Sequence, residues 1–218
     1  MRSIPARLAL IAVAPLAVLG SACGGSGYQY VKNDDLGIYA KLPDDWTVYD
    51  EEDLFPDASE IELDREAEVR WIRTFDSADD PSVDMTSRLD GSEPAGRVEH
   101  SMLSVAQREN LDLGMLRGRG DPARDPLAAQ QQGGDAAGVR VIVDDPIEFD
   151  GGYSGLHTVF VIENDGSPIV IDQTSVRDSQ SSQLVSFLVG CDEECYFETH
   201  KDEIADLVDS WTIQEVRS

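Results

Sequence analysis

The chain has 218 residues, with 17 lysines and arginines against 43 aspartates and glutamates, for a formal net charge of -26. A body this acidic is repelled by the phosphates of nucleic acids, which excludes nucleic acid as a partner. Its bases are nearly all arginine, Lys32, Lys41 and Lys201 being the lysines. The acidity keeps a surface protein soluble; binding of a cation or a basic partner is the sharper alternative.

Residues 1–22 have the order of a secretory signal peptide: basic Arg2 and Arg7, an apolar run from Leu8 to Leu19 broken by Pro15, then small Gly20, Ser21 and Ala22. The run is about 12 residues, and spanning a bilayer core takes about 20. Leu19-Gly20-Ser21-Ala22-Cys23 resembles the lipobox of bacterial lipoproteins, with its Leu one step further from the cysteine than usual. The resemblance implies that the Cys23 thiol is acylated and becomes the new N-terminus. Ordinary secretion would instead leave Cys23 a free thiol, an uncommon state for a secreted chain. Two acyl chains anchor stably, and residues 23–27 then read as a flexible Gly/Ser tether. The expected location is the extracytoplasmic face of the cell membrane. Residues 28–218 suit a single domain.

From Tyr28 to Asp50 the pattern predicts a hairpin: Ile38, Ala40 and Leu42 alternate, Pro43-Asp44-Asp45 turns, and Trp46 and Val48 begin the return strand. Asp50 to Asp64 reads as an acidic loop or frayed helix. Val69 to Phe75 alternates as a strand with Arg70 and Arg73 on a polar outer face. Asp76 to Glu93 is loop-like, and Arg97 to Leu103 is a short strand. Ser104 to Gln107 has capping-box spacing, predicting a helix over Val105–Leu116. Asp121 to Gly138 reads as a mobile connector.

Val139–Val143 and Ile147–Phe149 are strand-like. Ser154–Glu163 and Ser167–Arg177 form a hairpin about Asn164-Asp165-Gly166. Leu184–Val189 is another strand, Glu194–Asp209 has helical spacing, and Trp211–Val216 is a last strand. The sum, about eight strands and two helices mostly in hairpin order, predicts an α+β domain: a mostly antiparallel sheet flanked by helices.

Leu36-Gly37-Ile38 with Leu42-Pro43-Asp44-Asp45-Trp46, the turn Phe149-Asp150-Gly151-Gly152-Tyr153-Ser154-Gly155, and a closing helix into Ser210-Trp211-Thr212-Ile213 resemble the PsbP-like superfamily, especially its LpqN-like bacterial lipoprotein branch. The resemblance implies an α/β/α sandwich and a largely non-catalytic accessory or binding role, and it brings no active site.

Cys191 and Cys195, an even pair in an oxidising compartment, read as a disulfide. A redox pair is usually C-x-x-C, and Asp192, Glu193 and Glu194 disfavour a thiolate. Zinc would need further ligands, with His200 the near one. Gly152-Tyr153-Ser154-Gly155 lacks the spacing of a nucleophile elbow and precedes a strand where an elbow opens a helix. A triad of Ser154 or Ser175 with His157 and Asp172 can be drawn on paper. The acidic pairs Asp34-Asp35, Asp44-Asp45, Asp79-Asp80 and Asp144-Asp145 do not fit a calcium loop. Trp46, Trp71 and Trp211 fall on inward faces. The expected function is a tethered, non-catalytic accessory module of the envelope, partnered by the membrane and by an envelope protein or small-molecule ligand, with no cofactor and no metal. The alternative is a secreted serine hydrolase using Ser154 and His157.

Overall fold

The computed structural model describes residues 27–89, 91–120, 125–133, 138–163 and 167–214. Residues 1–26, with Cys23, and the Asn164-Asp165-Gly166 turn lie outside the described residues. Among the described residues the strands are β1 (Tyr28–Asn33), β2 (Ile38–Pro43), β3 (Thr47–Tyr49), β4 (Arg70–Asp76), β5 (Ala95–Met102), β6 (Val139–Phe149), β7 (Tyr153–Ile162), β8 (Ile169–Arg177), β9 (Gln183–Asp192) and β10 (Thr212–Ile213). The helices are α1 (Glu51–Leu54), α2 (Glu60–Ala67), α3 (Val83–Arg88), α4 (Val105–Asn110), α5 (Leu113–Arg117), α6 (Pro126–Gly133) and α7 (Lys201–Ser210).

A seven-stranded antiparallel sheet runs in the order β3-β4-β5-β9-β8-β7-β6, and a three-stranded sheet in the order β1-β2-β10. The fold is α+β, a mostly antiparallel sheet flanked by helices. Side chains alternate across a strand, so each central strand feeds two layers. On the front, Val185, Phe187 and Val189 of β9, Val98 of β5 and Phe75 of β4 meet Ile38, Ala40 and Leu42 of β2 and Ile204 and Leu207 of α7. The front layer is therefore α7 with the small sheet. Trp46, Phe75, Phe187 and Trp211 run through it as a chain of ring contacts 5.6–6.1 Å apart. Phe75 lies opposite Gly96 in the ladder, and a Cβ there would meet its ring at 2.5 Å. On the back, Leu188, Ile171 and Phe160 pack with Leu89 and Ala129, and Leu184 and Leu156 pack with Leu111 and Leu116.

Several elements depart from expectation. The hairpin closes between β1 and β2, where Gly37 takes φ +67°; the return strand β3 leaves the small sheet and pairs with β4. The expected loop over residues 76–93 contains α3. The helix over 105–116 starts at its capping box, Ser104 Oγ accepting from Gln107 N and Gln107 Oε1 from Ser104 N. It then breaks at Leu111, and Asp112 caps α5 by accepting from Met115 N. Within the expected connector, Asp125 accepts from Leu127 N and Ala128 N with Pro126 at the first helical position, so α6 forms. Gln130 Oε1 accepts from Val141 N at 2.6 Å and ties α6 to β6. The two strands expected over 139–149 are one strand with a bulge at Ile142. Its Pro146 is tolerated because β6 is a sheet edge.

Candidate functional site

Ser154 and His157 are three residues apart on β7, so their side chains leave opposite faces of the sheet. Ser175 is on the back with Ser154, its Oγ 3.3 Å from Ser186 Oγ. No serine nucleophile among these shares a face with the histidine, and the drawn triad does not assemble. His157 has a different partner on the front: its Nε2 lies 2.8 Å from Asp172 Oδ1, while Asp172 Oδ2 accepts from Tyr196 Oη at 2.7 Å. The Asp172 bond, followed by the charges of Asp172, Asp145 and Asp209, outweighs burial and raises the His157 pKa above its ordinary value. Burial and Asp172 push the Tyr196 phenol strongly up. His100 is buried against Gln183, and burial lowers its pKa. His200 lies between Glu93 and Glu203, each at 2.8 Å.

Cys191 and Cys195 are disulfide-bonded, so neither thiol serves as a zinc ligand. The bond joins the end of β9 to a π-helical turn, Cys195–Thr199, closed by His200 N donating to Cys195 O. The expected helix over 194–209 is thus a π turn followed by α7. Trp46 and Trp211 are buried, and Trp71 is half-buried against the same front cluster. Among the described residues no group of three or more potential ligands is placed to hold a metal ion. Asp144 is committed elsewhere: both its oxygens accept from Arg117, at 2.8 and 2.9 Å. Lys41, Asp44, Asp45, Glu203, Asp206 and Asp209 line a groove of about 580 Å³ at the front rim, beside Gly27 and Tyr28.

The back face holds a different constellation. Where β4 and β5 pass under α1 and α3, a cavity of about 480 Å³ is walled by Arg70, Thr74, Arg97, Glu99 and Arg119, with Phe55 and Ile72 as apolar wall. Alternation explains the clustering: Arg70, Ile72 and Thr74 share one face of β4, and Arg97 and Glu99 share that face of β5 in the facing register. One carboxylate oxygen serves three groups. Glu99 Oε1 lies 3.0 Å from Arg119, 3.2 Å from Arg70 Nε and 3.2 Å from Ser101 Oγ. Arg97 reaches Glu99 Oε2 only at 3.9 Å and donates to Arg119 O at 3.0 Å. Burial works against ionised Glu99, but Arg119, Arg70 and Arg97 outweigh it and hold the carboxyl below its ordinary range. Burial lowers the Arg97 pKa, with Arg119 and Arg70 adding and Glu99 opposing.

The pairing is incomplete. The Nε atoms of Arg70 and Arg119 and the Oγ1 of Thr74 are buried with no hydrogen-bond partner in the protein; the Arg70–Glu99 approach is an ion pair without hydrogen-bond geometry. Thr74 is 2% exposed. The sequence reading placed Arg70 on a polar outer face and missed this site. The available signal was three arginines and one glutamate on two neighbouring strands and a loop of a chain short of bases.

No protein-family model and no curated protein matches the sequence. Among solved structures, the chain is similar to cyanobacterial PsbP (CyanoP) from Synechocystis sp. PCC 6803 at 15% identity and TM-score 0.44, covering 89% of this chain and 98% of that one. It is similar to LpqN of Mycobacterium tuberculosis, involved in cell envelope biogenesis, at 13% identity and TM-score 0.42, covering 86% and 91%. It is also similar to the Ran-binding protein Mog1p of Saccharomyces cerevisiae at 9% identity and TM-score 0.41, covering 85% and 95%.

Proposed function

We propose that the protein is a lipoprotein tethered through Cys23 to the extracytoplasmic face of the membrane, working as a non-catalytic accessory module that binds an envelope protein or a small ligand. The observation that carries the binding role is the back-face cavity, lined by Arg70, Thr74 and Arg119, three residues that each hold a buried hydrogen-bonding atom without a protein partner. Such atoms cost stability when left unpaired, and a fold keeps them where something else completes them. The signal pattern and Cys23 support the tether, and the separation of Ser154 from His157 removes the hydrolase pair from consideration.

The test is cross-linking in intact envelopes, wild type against Cys23→Ala, with fractionation and labelling by a palmitate analogue. Wild type is expected in the membrane fraction, labelled, with a discrete captured partner. Cys23→Ala is expected unlabelled and in the soluble fraction. Label retained on Cys23→Ala contradicts the anchor. A captured set identical for the tethered and untethered forms shows that tethering plays no part in binding.

A further inference from the structure

Resting on the reading of the back-face cavity as a binding site, we infer that it takes a phosphate-class oxyanion, held by Arg70, Arg97 and Arg119 with Thr74. Charge is the first ground. The chain carries 17 bases against 43 acids, yet here three arginines surround the single buried carboxylate of Glu99. Of the other acids nearby, Asp76 is buried but accepts from Ala78 N and Ser82 N, while Asp84 at the rim and Glu66, 3.9 Å from Arg70, are exposed, where an ion pair contributes little. A second anion is what balances three half-buried guanidinium groups.

Donor inventory is the second ground. Arg70 Nε, Arg119 Nε and Thr74 Oγ1 are all groups able to donate, and all lack a protein acceptor. Glu99 Oε1 is taken by Arg119 and Ser101, and Arg70 Nε meets it at 3.2 Å as an ion pair without hydrogen-bond geometry. Guanidinium forks match the paired oxygens of phosphate, and three convergent arginines with a hydroxyl suit an anion bearing several oxygens. The covered Nε atoms become available when the half-buried Arg70 and Arg119 side chains turn toward the ligand.

The phosphate can be free, carried on a soluble metabolite, or part of a lipid headgroup. The fold favours the soluble sources. The chain enters through β1 in the front layer, and the cavity opens on the opposite face of the seven-stranded sheet. The acidic body as a whole is repelled by an anionic bilayer.

The experiment titrates the purified full-length chain with inorganic phosphate and with sulfate by calorimetry, and tests co-sedimentation of the Cys23→Ala chain with phosphatidylglycerol vesicles, phosphatidylcholine vesicles serving as control. Wild type is expected to bind phosphate saturably. Arg119→Gln and Arg97→Gln are expected to weaken it about tenfold or more, the loss of a charge-assisted hydrogen bond. Thr74→Val removes a donor without leaving a partner unpaired. It is expected to weaken phosphate while keeping or raising the melting temperature, which separates binding from folding. Selective sedimentation with phosphatidylglycerol, lost in Arg119→Gln, assigns the phosphate to a headgroup. Absence of binding in all arms, or equal affinity in wild type, Arg119→Gln and Thr74→Val, overturns the inference. The binding role itself fails separately, through the envelope cross-linking: a partner still captured when phosphate does not bind leaves that role standing with a ligand of another class.

Discussion

The same strands supply both faces of the seven-stranded sheet, and the back mixes its apolar clusters with a row of buried polar and charged groups. On β9, Val185, Phe187 and Val189 face the front, and Ser186 faces back; on β5, Val98 faces front between Arg97 and Glu99; on β8, Gln173 and Ser175 face back. The front is closed by apolar contact, which is non-directional and tolerant of small shifts. The back adds to its own apolar clusters, around Leu188 and around Leu184, a layer of polar pairing, which stabilises only when every member is satisfied. Gln173 shows the satisfied case: its Nε2 donates to Leu116 O and Arg117 O at 2.8 and 2.7 Å, and its Oε1 accepts from Gly120 N at 2.6 Å. The arginine cavity shows the other case, and the difference separates a polar group that holds the fold from one left available to a ligand.

The largest test of this contrast is Phe187→Ala. The ring is fully buried between Phe75 and Trp211, and its removal is expected to cost about 3–5 kcal/mol, read from urea unfolding. A cost under about 1 kcal/mol would mean the front layer is not the main store of stability.

Gln173→Leu comes next, on the other face. It leaves Leu116 O, Arg117 O and Gly120 N without their partner, for an expected loss of about 2–3 kcal/mol after partial rehydration. Hydrogen exchange should show the 113–120 segment opening while β9 amides keep their protection. Uniform loss of protection through both segments would break the distinction between a global front and a local back.

The strands were legible where alternation is strong. β4, β5, β7 and β8 sit within a few residues of their sequence-based positions because one period-2 pattern specifies both strand and register. The split into two sheets was not legible: β3 follows β2 through a good turn, and only long-range pairing with β4 decides which sheet it joins. Helices α3 and α6 were hidden by their small, polar composition; α6 is made by the Asp125 cap and the docking of Gln130 onto β6. The disulfide was readable from cysteine arithmetic, and Cys23 lies outside the described residues. The arginine cavity was not readable, because a charged residue in an alternating strand is assigned to solvent by default. Here helices cover both faces of the sheet, so Arg70, Arg97 and Glu99 line a cavity under α1 and α3 and not an open surface.

The smallest effect concerns a polar cluster on the front face. His157 is bonded to Asp172, which is 4% exposed and also bonded to Tyr196, and Asp145 stands opposite His157 in the β6–β7 ladder. Asp172 raises the histidine's folded pKa above its ordinary 6.5. The protonated form is therefore favoured by folding: its contribution is complete below about pH 6.5 and fades as pH rises through the higher folded value. His157→Gln keeps a donor to Asp172 but cannot take the charge. Wild type is thus expected to exceed His157→Gln in stability at pH 5.5 by more than at pH 8.5, measured by denaturant unfolding at both. General repulsion within this acidic chain changes in both proteins and largely cancels in the difference. A difference that does not depend on pH would mean that Asp172 holds a neutral imidazole.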